Sequence, residues 1–463
     1  MTSASADLPV AVIGGGPAGL MAAIGAARQG IQTVLLEKGD RLGRKLLISG
    51  GGRCNVTNAR GTAHIIENIP GNGRFLYSSL AKWSSDDIIS FFTLLGVPLK
   101  EEDRGRMFPV TDKAMTVLNA LQRELSSLAV DVRLRSTVSA LDFEEDTGAY
   151  RIALHGESDT AVRAGAVVVA AGGCAAPETG STGDGYVFAQ RFGHTLVPPY
   201  PTSVPLVSND ALIVERHLQG LSLRGVALTL YDPRGKVATR EEGDVIFTHF
   251  GLSGPAALRV SQYAVKLLQK NPGAQLKLAI DTMPAVARDQ FLDNVRQWVE
   301  KHPRRGFRTV LKDVVGESRG SQASAGHAAR IAMQDAVPER LIETAWRKLG
   351  FAADQIAADV SKKQVEALYE FLKHFPMNIS GTLGMNRATV TGGGVSLKGI
   401  DPRTMGSKLA AGLFFAGEIM DVHAHTGGYN ITVAFSTGYV AGTAAADYVR
   451  VRKAGTVCPT RFS

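Results

Sequence analysis

The sequence predicts an α/β fold whose parallel sheet is built from two separated parts of the chain. Residues 8–13, 31–37 and 164–173 are short, almost wholly apolar runs, as expected of parallel strands that are covered on both faces. Helical spacing over 17–29 joins the first two runs into a βαβ unit. A similar strand, 412–422, comes near the end of the chain and leads into a helix of small residues. The chain therefore leaves this sheet and later returns to it.

The part between these segments has a different composition. Prolines at 198, 199, 201 and 205 mark a crossing, alternating strand-like runs follow, and 285–375 has helical spacing with polar faces. We predict three parts: 1–195, first part of the main domain; 196–385, an insertion that is β-rich over 196–284 and helical over 285–380; and 386–463, second part of the main domain. Within the first part, 79–95 and 113–128 are predicted helices, and 130–144 and 150–156 are predicted antiparallel strands.

Composition excludes several classes of protein. The three cysteines, Cys54, Cys174 and Cys458, have no CxxC spacing, so a zinc site of that kind is excluded and a disulfide framework is not expected. Residues 8–27 carry no charge over the length of a membrane span, but GGGPAG lies in their middle, and a buried strand, turn and helix explain them better. We expect a cytoplasmic protein, monomeric and without a membrane segment.

The net charge of +8 is not concentrated in any long basic block. Short clusters occur at 133–135 and 302–308. A solvated surface and a diffuse binding surface for nucleic acid are both compatible with this pattern.

The first glycine cluster has the spacing G-x-G-x-x-G, with Gly14, Gly16 and Gly19 in the fixed positions. It follows a predicted strand and opens a predicted helix, and an acid, Glu37, ends the next strand. This context is the one that a dinucleotide requires: the glycines allow a tight turn and a close approach of the pyrophosphate, and the acid binds the ribose hydroxyls. The helix N-terminus supplies amide donors for the phosphates.

Further glycine segments favour FAD over a nicotinamide nucleotide alone. They lie at 43–52, 172–185 and 417–428, and a domain that binds only NAD does not need them. Glu418 stands where many flavoproteins place an acid against a ribityl hydroxyl. Gly427, Gly428, Tyr429 and Asn430 open the last helix, whose N-terminus would stabilise the negative charge of a reduced flavin.

Five longer motifs stand out in the sequence: VIGGGPAGLMAA, RLGRKLLISGGGRCNVTN, GRMFPVTDKA, FTHFGLSGPA, and GLFFAGEIMDV with TGGYN. Together they resemble the BaiN/RdsA group of FAD-dependent oxidoreductases, also called YhiN-like or aminoacetone-oxidase-type flavoproteins. The resemblance covers essentially the whole chain; a departure is 422–425, where the group commonly has an acid-containing stretch. It implies a two-part Rossmann-like FAD-binding domain interrupted by an inserted β-barrel-like and helical region. It also implies reduction of a carbon–carbon double bond, in a bile-acid intermediate or in a uracil of large-subunit ribosomal RNA.

These observations define the expected cofactor site, without a metal. Its residues are Gly14, Gly16, Pro17, Ala18, Gly19, Glu37, Lys38, Gly43, Arg44, Lys45, Ser49, Gly50, Gly51, Arg53, Asn55, Val138, Ala171, Gly172, Gly173, Asp184, Gly417, Glu418, Gly428, Tyr429, Asn430 and Ile431. Among them Arg44, Lys45 and Arg53 would offer positive charge to the phosphates or to the reduced flavin.

Two residues are candidate proton donors to the substrate. Cys54, beside the glycine run 50–52, would stand near the flavin ring; the alternative is a small buried hydrophobic residue. His249 is either a catalytic acid or a structural histidine. Arg104 and Arg106, beside Phe108, would hold an anionic substrate or form surface salt bridges.

We expect an FAD-dependent oxidoreductase that uses NAD(P)H, bound transiently, to reduce an activated double bond. A uracil in ribosomal RNA is the favoured substrate. A small enone-like molecule, an amine oxidised with oxygen, and a flavin-binding protein without turnover are the alternatives.

Overall fold

A computed structural model of the chain describes residues 8–156, 161–315 and 337–454. Two compact units divide the chain: residues 1–201 together with 385–463 form one, and residues 202–384 form the other. The strands, in chain order, are β1 (Val10–Ile13), β2 (Thr33–Leu36), β3 (Thr57–Asn58), β4 (Leu99–Glu102), β5 (Arg106–Pro109), β6 (Asp131–Arg133), β7 (Val138–Glu144), β8 (Ala149–Leu154), β9 (Val162–Ala164), β10 (Ala166–Val169), β11 (Leu196–Thr202), β12 (Leu206–Val207), β13 (Ser222–Tyr231), β14 (Val237–Phe247), β15 (Gly251–Ser253), β16 (Leu276–Asp281), β17 (Phe375–Ile379), β18 (Gly381–Thr382), β19 (Val390–Val395) and β20 (Leu413–Phe415).

The helices are α1 (Pro17–Ala27), α2 (Arg44–Ile48), α3 (Thr62–Glu67), α4 (Tyr77–Lys82), α5 (Ser85–Leu94), α6 (Ala114–Ser127), α7 (Asp184–Arg191), α8 (Ala211–Val214), α9 (Pro255–Lys270), α10 (Arg288–Lys301), α11 (Phe307–Val315), α12 (Glu339–Leu349), α13 (Lys362–Lys373) and α14 (Tyr429–Lys453).

A five-stranded parallel sheet with the order β20-β10-β1-β2-β6 forms the centre of the first unit. Its inner strands are fully buried, which explains their uninterrupted apolar runs. In the register, Val12 of β1 lies between Leu35 of β2 and Val168 of β10. The predicted α/β fold with a parallel sheet assembled from both ends of the chain is thus confirmed.

Two elements differ from the sequence-based prediction. The segment 79–95 contains two helices, because Ser84 caps α5: its side chain accepts a hydrogen bond from the Asp87 amide, and the Asp87 side chain accepts one from the Ser84 amide. The segment 130–144 is also divided. Its first part, β6, joins the parallel sheet beside β2, and only β7 pairs antiparallel with β8; a left-handed Arg135 (φ 55°) lies between the two parts.

Helices α1 and α14 pack against each other through small residues. A Cβ atom added to Gly438 of α14 would come within 3.0 Å of the Ala18 carbonyl group in α1. One added to Gly25 of α1 would lie 2.8 Å from the backbone carbonyl oxygen of Tyr439 in α14. The helices can approach this closely only because these positions carry no side chain. This packing holds the N-terminal ends of α1 and α14 in fixed positions.

The second unit contains a seven-stranded antiparallel sheet with the order β17-β16-β13-β14-β15-β12-β18. Its core includes the fully buried rings of Phe247, Phe291, Phe307 and Phe375. Helices α10 to α13 account for the predicted helical part of the insertion. None of the helices described is long and apolar enough to cross a bilayer.

Candidate functional site

The candidate site lies at the carboxyl ends of four neighbouring parallel strands. Gly14 follows β1, Glu37 follows β2, Ala170 follows β10 and Ala416 follows β20. In open α/β sheets, ligands bind at this edge. Residues from positions as distant as 14 and 416 therefore converge on one place, and each belongs to a segment that the sequence singled out for its glycines.

The three glycines of the first turn have three different surroundings. Gly14 has a φ of 108°, and a Cβ there would lie 2.5 Å from the Ala170 carbonyl oxygen. A Cβ on Gly19 would come within 3.0 Å of the Gly14 carbonyl oxygen, so the helix packs directly onto the turn. Gly16 differs from both, because a Cβ there would meet no atom within 4 Å. The open space at Gly16 adjoins the N-terminus of α1, where a pyrophosphate group fits.

Glu37 is oriented by two backbone amides. Its Oε2 accepts a hydrogen bond of 2.7 Å from Gly15, and its Oε1 accepts one of 2.6 Å from Gly39. A carboxylate oxygen accepts about two hydrogen bonds, so each oxygen keeps a position for a hydroxyl donor. The carboxylate is held rigidly next to the glycine turn and retains the capacity to bind ribose hydroxyls.

The N-terminus of α14 adjoins the segment SGGGRCNVTN. Gly428, at the N-cap with a φ of 94°, lies so close to this segment that a Cβ would stand 2.7 Å from the Thr57 carbonyl oxygen and 2.9 Å from Asn55 Oδ1. The Asn55 side chain is buried, and its Oδ1 has no hydrogen-bond partner among the described residues. A flavin pyrimidine edge carries both carbonyl acceptors and an N–H donor, so it fits a helix N-terminus beside a buried acceptor.

Lys45 and Glu418 link the remaining glycine segments. Lys45 Nζ donates to Glu418 Oε2 and to the Ala175 carbonyl oxygen, each at 3.0 Å, and Glu418 Oε1 accepts from the Thr391 amide at 2.7 Å. The Thr391 hydroxyl accepts hydrogen bonds from the amides of Cys174 and Ala175. The sequence analysis missed Thr391; the only signal was the glycine triplet that follows it at 392–394.

Lys38 and Asp184 form a second link. Lys38 Nζ lies 2.5 Å from Asp184 Oδ2 and 2.5 Å from the Thr182 hydroxyl oxygen. The bond from Lys38 contributes to a lowered pKa of the Asp184 carboxyl, although burial of that carboxyl acts in the opposite direction. This link fixes the turn before α7 to the end of β2.

Arg53, a predicted source of positive charge for the cofactor, is paired with acidic side chains in this structure. Its guanidinium makes two hydrogen bonds with Glu102, at 2.7 and 3.1 Å, and one with Asp112 at 3.1 Å, and it stacks over the Phe108 ring at 4.0 Å. The Arg53 hydrogen bond lowers the pKa of the Glu102 carboxyl. Arg53 therefore ties SGGGRCNVTN to the sheet of β3, β5 and β4. Arg44 is likewise paired with Asp40, at 2.6 Å.

Cys54, a predicted proton donor, lies in a buried environment that does not favour this role. Its side chain is fully buried, and burial raises the pKa of the thiol to about 12. Gly50, Gly51 and Gly52, with φ values of 56°, 68° and 85°, form an exposed left-handed turn just before it in the chain.

His249 lies in the second unit, on the turn between β14 and β15. It is exposed, and its ring contacts the Phe250 ring at 5.0 Å. Arg106 makes long contacts with Glu102 and Asp103 at 3.8 and 3.6 Å, and Arg104 is exposed in a left-handed conformation (φ 63°).

The other expected site residues take the following positions. Ser49 donates to the Leu46 carbonyl group, Asn430 bonds the backbone of Ala424 and His425, and Tyr429 bonds His64 at 3.1 Å. Five of the expected site residues are partly accessible: Pro17, Val138, Ala171, Gly172 and Ile431. Four others are buried at turn or packing positions: Ala18, Gly43, Gly173 and Gly417. Cys458 lies outside the described residues. In the described part of the chain no group of three or more His, Cys, Asp or Glu side chains is placed to hold a metal ion.

Comparison with known proteins identifies the family. Residues 8–444 match the family described as HI0933-like protein Rossmann domain. The chain is 30% identical over 429 residues to the ribosomal RNA dihydrouridine synthase of Haemophilus influenzae, covering 92% of this chain and 96% of that protein. It is 31% identical over 435 residues to the protein of the same name from Escherichia coli, covering 92% and 95%.

A relative named for a different activity is similar to the same extent. The 3-dehydro-bile acid delta(4,6)-reductase of Clostridium scindens is 30% identical over 442 residues, which cover 95% of this chain and 99% of that protein. The resemblance found in the sequence motifs is therefore confirmed. The chain belongs to the HI0933-like Rossmann-domain family and is an FAD-dependent oxidoreductase.

Proposed function

We propose that this protein reduces an activated carbon–carbon double bond with electrons from NAD(P)H, and that its substrate is a uracil in ribosomal RNA, which becomes dihydrouridine. The observation that carries the proposal is similarity over almost the whole chain to two proteins named ribosomal RNA dihydrouridine synthase. Because the alignments cover both units, they include the cofactor site and the insertion. Such a substrate places the protein with ribosomes in the cytoplasm.

The cofactor site fits FAD. Its flavin ring, when bound, supplies the hydride for the double bond. In this proposal the amides at the start of α1 bind the pyrophosphate through the open space at Gly16. Glu37 binds the adenosine ribose with the acceptor positions that Gly15 and Gly39 leave available. Glu418, fixed by Lys45, orients the ribityl chain.

The start of α14 has a further role in this proposal. Its amides and positive dipole end stabilise negative charge on the pyrimidine edge of the flavin, and Asn55 Oδ1 accepts a hydrogen bond from the same edge. Lys45 has used two of its three protons on Ala175 and Glu418, so one is left for the cofactor.

Hydride addition to one carbon leaves the neighbouring carbon in need of a proton. Burial of the Cys54 thiol argues against Cys54 as the source of that proton. His249, which is exposed in the second unit, stays a candidate for the proton donor. Replacement of His249 by Gln should slow double-bond reduction by about 10²-fold or more if the imidazole supplies the proton, and should leave flavin reduction by NAD(P)H unchanged.

A small enone is the second candidate substrate. Similarity to the bile-acid reductase supports it, because that similarity also extends over almost the whole chain. An amine oxidase would consume oxygen without any double-bond acceptor. The oxidoreductase assignment argues against a flavin-binding protein without turnover.

The proposal is tested with unmodified large-subunit ribosomal RNA made by transcription. The purified holoenzyme is incubated with this RNA and either NADH or NADPH, without oxygen. We expect anaerobic bleaching of the flavin by one of the two nucleotides, followed by a gain of two hydrogen atoms in one uridine, detected by mass spectrometry. Bleaching without any modified uridine, together with turnover of a 3-oxo-4,6-diene steroid, would assign the small-molecule activity instead.

A further inference from the structure

The connection between α10 and α11 in the second unit is strongly basic. Lys301, Arg304 and Arg305 are all exposed, and 301–308 contains no acidic residue. We call residues 301–305 the basic turn. Cations bind a ligand with less loss of entropy when the backbone that carries them is held in place.

Two backbone hydrogen bonds fix the basic turn to the segment before α13, and a third fixes Phe307 just after the turn. The Ala358 amide donates to the Pro303 carbonyl group at 2.9 Å, and the Ala357 amide donates to the Arg305 carbonyl group at 2.8 Å. The Phe307 amide in turn donates to the Gln355 carbonyl group at 2.9 Å. The turn therefore presents its cations from a rigid backbone, which lowers the entropy lost on binding a ligand.

A buried aromatic cluster anchors the same turn. Phe307, at the first position of α11, is fully buried and contacts the rings of Trp346 and Phe351 at 5.8 and 5.9 Å. On the other side of the turn, the His302 ring lies 5.3 Å from the partly buried Trp298 ring. Planar rings beside cations are typical of surfaces that contact single-stranded nucleic acid.

Two cations of the turn, Lys301 and Arg304, differ from their neighbour Arg308 in being available. Arg308 forms an ion pair with Glu343 and a longer one, at 3.6 Å, with Glu339, so its charge is neutralised. Among the described residues, by contrast, no hydrogen-bond or ion-pair partner exists for the side chains of Lys301 and Arg304. A ligand anion at Lys301 or Arg304 would therefore compete with no side-chain partner among the described residues.

Charged residues of both signs surround the basic turn. Lys362 and Lys363 open α13, immediately after the segment that pairs with the turn, and both are exposed. Asp354 and Asp359 are exposed in that segment itself. The excess is positive but moderate, which suits a ligand that carries several spaced charges better than a single compact anion.

We propose that the basic turn binds the phosphate backbone of an RNA strand. This inference rests on the proposed function, since it names the recognition surface for an RNA substrate. A lipid surface fits less well: none of the described residues of α10 to α13 is a large apolar side chain exposed to solvent, so nothing there would insert into a membrane. Lys301 and Arg304 contact phosphates, and the Trp298–His302 pair offers a ring face to an unstacked base.

The test compares two double charge reversals in the same unit. Lys301→Glu with Arg304→Glu changes the basic turn, and Lys270→Glu with Lys277→Glu makes the same change of charge at exposed positions on α9 and β16. Binding of the large-subunit ribosomal RNA fragment to the holoenzyme is measured over a series of salt concentrations. The logarithm of affinity should fall with the logarithm of salt concentration, and loss of two phosphate contacts should reduce that slope by about 1.4.

We expect the basic-turn variant to bind the RNA at least tenfold more weakly at low salt, with unchanged FAD content, and the control variant to bind nearly as the parent does. Equal weakening in both variants would overturn the inference, because it would show only long-range charge. A basic-turn variant that binds normally, while the parent reduces uracil in the RNA, would overturn it and leave the proposed function intact. A parent protein that neither binds nor reduces the RNA would overturn both. Anionic phospholipid vesicles that bind the parent but not the basic-turn variant, with equal RNA binding by the two proteins, would overturn the inference alone.

Discussion

Gly442 of α14 packs against the backbone of Ala22 in α1 so closely that a Cβ atom on Gly442 would come within 3.0 Å of the Ala22 carbonyl oxygen and carbon. Atoms do not approach to such distances, so one of the two helices would have to move. Together with Gly438, one turn earlier on the same face, this contact sets how α14 lies on α1. The N-termini of these two helices are the ones we assign to the pyrophosphate and to the flavin ring.

Gly442→Ala should therefore lower both stability and cofactor binding, although Gly442 lies far along α14 from its N-terminus. Overpacking by one methyl group in a rigid contact costs about 1–3 kcal/mol, and here the obstacle is backbone. We expect a lower midpoint of urea unfolding and partial loss of FAD from the purified variant. Gly61→Ala, where a Cβ would meet no atom within 4 Å, is the control and should behave as the parent does.

Gly16→Ala should separate cofactor binding from folding. The φ and ψ of Gly16, −78° and −178°, suit alanine, and its Cβ would meet nothing within 4 Å. The stability of the apoprotein should therefore stay within about 0.5 kcal/mol of the parent value. FAD binding should weaken at least tenfold, because the methyl group would occupy the space assigned to the pyrophosphate.

The measurements for Gly16→Ala are fluorescence titration of the apoprotein with FAD and urea unfolding without FAD. Gly19→Ala provides the contrast: a Cβ there would collide with the Gly14 carbonyl group, so this variant should lose stability first. Unchanged FAD affinity in Gly16→Ala would show that the pyrophosphate does not pass this position.

The parallel sheet and the first glycine turn were predictable from the sequence because their signals are local. A buried parallel strand needs an apolar run, and a turn such as Gly14 to Gly19 needs glycine at fixed spacing. The break between α4 and α5 was missed although it also has a local signal, the Ser84–Asp87 capping box, because apolar spacing continues across it. The pairing of β6 with β2 could not be predicted, since it depends on contacts distant in the chain.

The candidate site divides in the same way. Glu37 could be identified because its position follows from strand length, and its carboxylate does lie at the glycine turn. The pairing of Arg53 with Glu102 and Asp112 and that of Lys45 with Glu418 could not, because a charged residue in a glycine-rich segment has the same sequence signature whether it faces a cofactor or another side chain. Cys54 was misjudged for a similar reason: proximity along the chain to a predicted cofactor segment does not determine which way a side chain points.

Cys54 should react slowly with alkylating reagents in the native protein. A free thiol has a pKa of about 8.5, whereas burial raises the pKa of Cys54 to about 12 and also blocks the reagent. At a pH near 8.5 we expect modification of Cys54 by iodoacetamide to be at least 10²-fold slower than in the urea-unfolded chain, measured by mass spectrometry. Fast labelling of the native protein would contradict the burial.

The raised pKa of the Cys54 thiol also predicts how the free energy of unfolding depends on pH. Above about pH 8.5 the unfolded chain loses the thiol proton and the folded chain keeps it, so the free energy of unfolding should fall as pH rises towards 12. Cys54→Ala should lack that part of the decrease. It should also reduce its substrate at the parent rate in a single turnover, and a rate lowered about 10²-fold would restore the thiol as the proton donor.

The central claim is tested most directly by a single turnover that does not depend on NAD(P)H. The flavin of the holoenzyme is reduced photochemically without oxygen, and the reduced protein is mixed with unmodified large-subunit ribosomal RNA or with a 3-oxo-4,6-diene steroid. We predict that the RNA reoxidises the flavin faster than the steroid does, with dihydrouridine formed in proportion to the flavin oxidised. Reoxidation by the steroid, with no reoxidation and no dihydrouridine from the RNA, would contradict the account.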